Sequence, residues 1–309
     1  MSADQPAPEA PELPAPELPG LRFVGPLGAG GSGDVFAYDQ LLPARRVALK
    51  VLREPVRGAA AAAAFLAEAN AMAALEHPHI VPVYAAGVAD DGRPYLVMMR
   101  YPPPDFEERC RRQPLPLAEA LRVGVQIGGA VETAHRHGLL HRDIKPANIL
   151  TSRYGVAGLA DFGLASAPAA ADEPEFGVSV PWAAPEVLFG TAPASERSDV
   201  YSLAATVWTL LAGRSPFEAA GPGDTAVRLL RRIRTQPVPP IGRPDVPAAV
   251  DALLAAALAK DPAARPASAL EWAEGVRGLQ SRLGLPVTDP LVGPLVTGPL
   301  VAVRGTPQR

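Results

Sequence analysis

The chain has 309 residues and a formal net charge of −3, and it is long enough for one large domain or for two lobes that share a cleft. Its 29 basic and 32 acidic residues leave no basic excess to recruit nucleic acid or anionic lipid, which argues against both as partners. A single cysteine, Cys110, excludes an internal disulfide and is typical of a reducing cytosol.

The N-terminus and the apolar runs argue against secretion and membrane insertion. Residues 1–20 are rich in Pro, Ala and Glu, which predicts a disordered arm and not a signal peptide. The longest apolar runs are too short to span a bilayer. We therefore expect a cytoplasmic protein without a membrane span.

Apolar alternation and glycine turns predict a strand-rich first part of the chain. FVGPLGAGGSGDVFAYD indicates a strand, a glycine turn and a second strand, and RRVALKVLR indicates a third strand. Residues 58–76 are strong helix formers and end before a proline. IVPVYAAGV and RPYLVMM then indicate two further strands.

Helical patterns dominate after the connection near residues 98–104. PLAEALRVGVQIGGAVETAHRHG has apolar residues near a 3.6-residue period, and four later segments are also predicted to be helices: DVYSLAATVWTLLAG, DTAVRLLRRIRT, PAAVDALLAAALA and SALEWAEGVRGLQSRL. We therefore predict an α+β fold of two lobes, β-rich over about 21–98 and mainly helical over about 102–283. Residues 284–309 contain the near-repeats PLVG, PLVTG and PLVAV, whose prolines predict a disordered tail or a docking peptide.

Three glycines, Gly28, Gly30 and Gly33, lie between the first two predicted strands. Glycine lets a strand turn tightly and brings backbone N–H groups close to phosphate oxygens. A strand follows instead of a helix, and a GK[ST] ending is missing. The pattern therefore argues against a dinucleotide fold and a Walker loop. Taken alone it is weak, because glycine turns between strands are common.

Lys50 ends an apolar strand segment, and Glu68 is an isolated acid in the alanine-rich helix. Each residue could simply be solvated. As a pair, however, the glutamate would hold the lysine ammonium towards the phosphates of a nucleotide.

The stretch HRDIKPANIL at 141–150 places an acid, a cation and an amide close together without helical or strand periodicity. Phosphoryl transfer needs positioning and charge neutralisation more than covalent help from the protein. Asn148 and Asp161, which follows on a predicted turn, offer the oxygen ligands that Mg²⁺ prefers. Asp143 can accept the proton of an incoming hydroxyl, and Lys145 can neutralise charge on the transferred group.

These segments resemble the signature set of protein kinases in order and in approximate separation: VALK, HRDIKPANIL, DFG and Ala184-Pro185-Glu186. Over about residues 21–283 the chain is similar to eukaryotic-like serine/threonine protein kinases of the bacterial kind. The resemblance implies the bilobal kinase fold and transfer of the ATP γ-phosphate to Ser or Thr of proteins, including itself, in bacterial signalling. It also implies Mg²⁺ as the metal, with Mn²⁺ as an alternative.

The resemblance further implies a role for each matching residue. For nucleotide binding these are Gly28, Gly30, Gly33 and Lys50 at the phosphates, Val35, Ala48 and Met98 around adenine, and Met99 to Tyr101 at the hinge. For catalysis they are Asp143 as base, Lys145 at the γ-phosphate, Glu68 holding Lys50, Asn148 and Asp161 on Mg²⁺, and Asp199 steadying the loop. For the activation segment they are Arg142 as a phosphate reader, Ser166, Ser179, and the pair Glu186 and Arg265. IKPAN and Ser179 match the Ser/Thr-directed form.

The sequence departs from the family pattern at two places. Between Asp161 and Glu186 the only hydroxyl residues are Ser166 and Ser179, while Asp172, Glu173 and Glu175 add negative charge. We hypothesise that these acids partly substitute for phosphorylation, and a solvated acidic loop is an equally supported alternative. The prolines of YPPPD stiffen the connection between lobes, and either Asp105 or Glu107 could reach the ribose.

Other classes of function stay open from the sequence. A pseudokinase would hold partners without chemistry, but degenerate members usually lose residues matching Lys50, Asp143, Asn148 or Asp161, and all four are present. The same ATP site could serve transfer of phosphate to a small molecule or transfer of AMP. The tail could dock on a partner or regulator, and family analogy alone allows a homodimer through the small lobe.

Overall fold

The computed structural model describes residues 14–30, 33–162, 179–219 and 224–293. Its elements follow the predicted order. The first lobe contains β1 Leu21–Gly30, β2 Gly33–Gln40, β3 Arg45–Leu52, α1 Ala59–Ala73, β4 Val83–Val88 and β5 Pro94–Met99. The second contains α2 Phe106–Arg112, α3 Leu117–Arg136, β6 Ile149–Thr151, β7 Ala157–Leu159, α4 Pro185–Leu188, α5 Glu196–Ala212, α6 Ala226–Thr235, α7 Ala248–Ala257 and α8 Ala269–Arg282.

The five strands of the first lobe form one antiparallel sheet in the order β1-β2-β3-β5-β4. Val35 lies opposite Lys50, and Ala48 lies opposite Met98, so these four side chains share one face of the sheet. That face packs on the main hydrophobic core, which continues into the helical lobe. The other face covers a small separate core: Phe36, Tyr38, Val47, Leu49, Val51 and Val97.

Helix α1 is held by a narrow apolar stripe. Only Phe65, Ala69 and Met72 of its fifteen residues are buried, at the spacing of one helical face. The N-cap residue before it is Gly58, which has no side chain to accept a capping hydrogen bond. The packing therefore constrains the position of α1 only weakly.

Helix α3 is the centre of the helical lobe and is buried along most of its length. It packs against α5 and α8, and two interior glycines make the contacts close. A Cβ at Gly124 would lie 3.0 Å from Val207 of α5, and one at Gly128 would lie 3.1 Å from Ala273 of α8. In the part of the chain that the structure describes, no helix has the length and apolar character needed to cross a membrane.

Residues 14–20 differ from the predicted disordered arm. Pro16 is buried, and its carbonyl accepts a hydrogen bond of 2.6 Å from the Tyr38 hydroxyl. The Pro14 carbonyl accepts one of 2.8 Å from Arg93. Extended proline-rich backbone has no internal hydrogen bonds, so its carbonyls are free to bind such donors.

Candidate active site

The sheet places one cation over the boundary between the lobes. Lys50 is 7% exposed, and its Nζ lies 3.0 Å from Oδ2 of Asp161. Asp161 follows β7 and has a left-handed backbone with φ of 62°. Ala48 and Met98, on the same face as Lys50, are also buried. An apolar surface and a charged group therefore adjoin at this face.

The glycines between β1 and β2 divide into two kinds. A Cβ at Gly33 would lie 2.3 Å from the Val51 carbonyl oxygen, so packing of the chain itself requires glycine there. Among the described residues, a Cβ at Gly28 would meet nothing within 4 Å, and one at Gly30 would meet only the Gly33 carbonyl at 3.9 Å. Packing does not explain these two glycines, and the open space beside them fits close approach of a phosphate chain.

The loop before β6 is fixed from below by a buried carboxylate. Asp199 on α5 is 1% exposed and accepts backbone N–H bonds from His141 at 2.8 Å and Arg142 at 2.9 Å. His135 of α3 contributes a third contact of 2.8 Å. Arg142 has a φ of 66°, which a non-glycine residue adopts only when its surroundings fix it.

His141 links the backbone at Asp143 to the backbone at Ala160, which directly precedes Asp161. Its Nε2 donates to the Ala160 carbonyl at 3.0 Å, and its Nδ1 accepts from the Asp143 backbone N–H at 3.2 Å. These roles assign a neutral imidazole. Burial lowers the pKa of His141 despite the attraction of the nearby carboxylates. The ring also packs on Phe162, with centroids 4.5 Å apart.

Asp143 has one engaged and one unengaged carboxylate oxygen. Oδ2 lies 2.8 Å from Lys145 Nζ and accepts from Asn148 Nδ2 at 3.1 Å. The same Asn148 nitrogen donates to the Asp143 carbonyl at 2.7 Å. Oδ1 is buried and has no hydrogen-bond partner among the described residues. Lys145 also donates to Ser179 Oγ at 2.6 Å, so the structure brings these four predicted residues together.

The pairing of Glu68 with Lys50, which the resemblance implies, is not formed in this structure and stays a prediction. Lys50 contacts Asp161, and no ion pair joins it to Glu68 in the described ranges. Burial raises the pKa of the half-buried Glu68 carboxyl, and the charge of Arg142 opposes this only in part. The physical reason lies in α1, because its narrow buried stripe does not hold Glu68 against the sheet.

Glu186 and Arg265 form the predicted pair. Both carboxylate oxygens of Glu186 accept from the Arg265 guanidinium at 2.7 Å, and both residues are buried. A bidentate contact of this kind fixes orientation as well as distance.

The connection between lobes leaves the ribose assignment open. Asp105 caps α2 by accepting from the Glu108 N–H at 2.9 Å, and burial raises its pKa. Glu107 pairs with Arg111 at 2.6 Å. Each of these two candidate acids therefore already has a local partner. In the predicted hinge, the Met99 backbone N–H donates to the Pro82 carbonyl.

Some candidates lie elsewhere or were missed. Ser166, Asp172, Glu173 and Glu175 lie outside the described residues. Leu27 and Leu150, which the sequence analysis did not name, are half-buried and pack on the same core as Ala48 and Met98, and so does the predicted hinge residue Tyr101. The sequence contained a signal for the cations, since only three of its 29 basic residues are lysines and two of those are Lys50 and Lys145. An arginine-rich chain that keeps lysine at these positions indicates a chemical requirement.

Comparison with known proteins agrees with this geometry. Residues 21–274 match the protein kinase domain family. The chain is 41% identical over 290 residues to serine/threonine-protein kinase PknK of Mycobacterium tuberculosis, covering 90% of this chain and 25% of PknK. It is 40% identical over 267 residues to PknJ of the same organism, covering 82% of this chain and 44% of PknJ. The crystal structure of the M. tuberculosis PknI kinase domain superposes with a TM-score of 0.64 at 32% identity, covering 86% of this chain and 97% of that one.

The chain therefore belongs to the protein kinase family and has its bilobal fold. It spans 25% of the length of PknK and 44% of that of PknJ. The family generally uses ATP and Mg²⁺. The oxygen atoms of Asn148 and Asp161 fit Mg²⁺, which prefers oxygen ligands. The side-chain nitrogen of Asn148 donates to Asp143, so its side-chain oxygen can bind a hard cation, and Asp161 provides a carboxylate. In the described ranges no group of three or more His, Cys, Asp or Glu could hold a metal ion.

Proposed function

We propose that this chain is a protein-serine/threonine kinase that transfers the ATP γ-phosphate to Ser or Thr of protein substrates, itself included. The observation that carries the proposal is the unengaged Oδ1 of Asp143, buried beside Lys145 and Asn148. A substrate hydroxyl would donate its hydrogen bond to this oxygen. As the new O–P bond forms, its proton passes to Asp143, and the bond from the γ-phosphorus to the bridging oxygen breaks to release ADP.

Two side chains would bind the metal ion, and a third would neutralise charge on the transferred phosphoryl group. Asn148 and Asp161 would bind Mg²⁺, or Mn²⁺ as an alternative, which supplies charge neutralisation at the phosphate oxygens. Lys145 already lies 2.8 Å from Asp143 and would neutralise charge on the moving phosphoryl group.

Lys50 would exchange partners on nucleotide binding. Its present contact with Asp161 engages a carboxylate that the metal needs. If Asp161 held a bound Mg²⁺, the ammonium of Lys50 would be available to the α- and β-phosphates, and Glu68 would be its carboxylate partner. The weak packing of α1 supports such a change, because moving the helix breaks few buried contacts.

The contact between Lys145 and Ser179 supports Ser or Thr as the acceptor. Ser179 Oγ lies 2.6 Å from Lys145 Nζ at the end of the activation segment, beside the catalytic acid. We further propose the cytosol as the location. The only cysteine, Cys110, is buried, and burial raises the pKa of its thiol to about 11, which is typical of a structural thiol that stays reduced. Homodimerisation stays a prediction.

The test is transfer of labelled γ-phosphate from ATP with Mg²⁺ to the chain itself and to a generic basic protein, with phosphosites mapped. Asp143→Asn and Lys50→Met should each abolish the label, because they remove the base and the phosphate contact. Asp245→Asn and Lys260→Met are matched controls that make the same chemical changes away from the site, and both should keep activity.

Label on Ser or Thr that disappears only in the two site variants supports the proposal. Bound ATP without transfer would overturn it in favour of a binding protein without chemistry. Label on a small-molecule acceptor alone, or transfer of AMP, would overturn the protein-kinase assignment while keeping the nucleotide site.

A further inference from the structure

The first residues of the tail fold back onto the helical lobe. After α8 ends, the Leu285 N–H donates to the Gln280 carbonyl at 2.9 Å. The Gln280 side chain, which is completely buried, then holds Thr288 twice. Its Oε1 accepts from the Thr288 N–H and its Nε2 donates to the Thr288 hydroxyl, both at 3.0 Å. These contacts direct the following residues along α3.

Residues 290–293, Pro-Leu-Val-Gly, lie against one side of α3. Pro290 is buried. The Gly293 N–H donates to Thr133 Oγ1 at 3.0 Å, and the Gly293 carbonyl accepts from Arg136 at 3.0 Å. His77, in the loop between α1 and β4, contacts the Pro290 carbonyl at 3.3 Å. The tail thus touches both the helical lobe and the end of α1.

Gly129 carries independent information in the sequence of α3. Glycine inside a helix costs about 1 kcal/mol relative to alanine, so such a residue needs a packing reason. Gly124 and Gly128 have that reason in α5 and α8. A Cβ at Gly129 would lie 1.7 Å from the Pro290 carbonyl oxygen. The tail is the element that this glycine accommodates.

We propose that the groove formed by Gly129, Thr133, Arg136 and His77 is a docking site for a Pro-Leu-Val-Gly segment, and that residues 290–293 of the same chain occupy it as an intramolecular clamp. The sequence repeats Pro-Leu-Val at 294–296 and 299–301. Those copies, or a partner that presents the same segment, are competitors for the groove.

The clamp reaches the active site through two histidines. The His77 ring accepts from the His79 backbone N–H at 3.1 Å, and His79 Nδ1 donates to the Ala157 carbonyl at 2.8 Å. Ala157 begins β7, and this strand leads directly to Asp161. On the proposed kinase function, occupancy of the groove would support the position of Asp161 and raise activity.

The first measurement is hydrogen exchange and thermal unfolding of the full chain with Gly129→Ala. The new methyl group should expel the clamp, speed exchange of the Gly293 and Thr288 amides about tenfold or more, and lower the Tm. Gly278→Ala in α8 is the matched control, because its Cβ would meet only the flexible end of Arg282. It should raise the Tm slightly, as alanine does in a helix.

Gly293→Val provides a second route that leaves the helical lobe untouched. Its Cβ would lie 2.9 Å from Thr133 Cγ2, so it should release the clamp from the other side. The double variant should then be no worse than the more severe single one, because both remove the same contact.

Fast exchange in both single variants and non-additive Tm losses support the clamp. A rise in Tm with unchanged exchange in Gly129→Ala would overturn it, and protection of 294–298 in place of 290–293 would overturn the assigned occupant. Exchange reports docking whether or not the chain transfers phosphate. Docking with no transfer therefore contradicts the proposed function alone, and transfer that ignores the clamp contradicts only its link to Asp161.

Discussion

Arg265 in the helical lobe and Lys50 in the sheet lobe are both buried cations beside carboxylates, at 3% and 7% exposure. Arg265 has acceptors for all five of its N–H groups: both oxygens of Glu186 and the carbonyls of Arg197, Ala259 and Lys260. Within the described parts of the chain, Lys50 pairs with Asp161 and forms no ion pair with Glu68.

The difference indicates that the two pairs have different roles. Arg265 and Glu186 satisfy their buried charges from each other and from nearby carbonyls, so the geometry of this pair is complete without a ligand. Lys50 and Asp161 keep donor and acceptor capacity that a nucleotide and a metal would complete. Substitutions at the two pairs should therefore act on different quantities, on stability at Arg265 and on activity at Lys50.

The largest expected effect is on stability and concerns the pair of Arg265 and Glu186. Arg265→Met should lower the free energy of unfolding by about 3–5 kcal/mol, because it leaves the Glu186 carboxylate buried without its partner. Urea unfolding followed by circular dichroism measures this loss.

The matched control is Arg277→Met, which removes an arginine from an exposed pair with Glu274 at 2.8 Å. It should change stability by less than about 1 kcal/mol, since water screens exposed pairs. Equal losses in the two variants would show that the buried contact has no special weight.

A second effect concerns the loop that the helical lobe supports. Asp199→Asn should cost about 2–3 kcal/mol of stability, because an amide nitrogen would face one of the two N–H groups of His141 and Arg142 that the carboxylate now accepts. Activity should fall with it, since the loop carries Asp143. An Asn variant with unchanged unfolding would mean that the loop holds its own conformation.

The sequence predicted the longer elements of both lobes better than it predicted the contacts between distant residues. Apolar alternation, helical periodicity and helix propensity predicted the five strands of the sheet, α1, α3 and α5 to α8, but not α2, α4, β6 or β7, which are too short to show a period. The contact of Glu186 with Arg265 followed from resemblance, since 79 residues separate them and no local pattern joins them. The contact of Lys50 with Asp161 could not be predicted, because 111 residues separate the two and no local pattern joins them. The prolines of the tail left a disordered segment and a docking peptide as alternatives, and Gly129 inside α3 was the sequence signal that favours docking.

The third prediction concerns Lys50 and its proposed partner Glu68. Glu68→Gln should lower the proposed kinase activity about tenfold or more, if Glu68 becomes the Lys50 partner only with nucleotide bound. Its effect on unfolding should be small and favourable at pH 7. Because burial raises the pKa of Glu68, the folded protein holds the proton more tightly, and stability is lost as pH rises from 4.5 through that raised pKa.

A neutral glutamine removes this loss, so the two proteins should converge in stability below pH 4.5. Activity and unfolding measured on the same samples separate the two roles. A marked loss of stability in Glu68→Gln at pH 7 would instead show that Glu68 already has a structural partner.

The smallest expected effect concerns Lys260, which lies near Arg265. Its Nζ is buried with no hydrogen-bond partner among the residues that the structure describes, and it lies above the Phe217 ring at 3.9 Å. Burial, with a smaller contribution from Arg265, lowers its pKa from 10.5 to about 8. The unfolded chain therefore binds the proton more tightly, and stability of the native protein should rise between about pH 8 and 10.5.

Lys260→Met keeps the apolar stem and removes the charge, so it should stabilise the protein by about 1 kcal/mol at pH 7, partly offset by the lost contact with the ring. This advantage should shrink as pH rises through the same window, because the wild-type lysine becomes neutral. Urea unfolding at pH 7, 9 and 10.5 gives the slope. A constant difference across that range would mean that the ammonium stays solvated, and the helical lobe would then contain no uncompensated charge at this position.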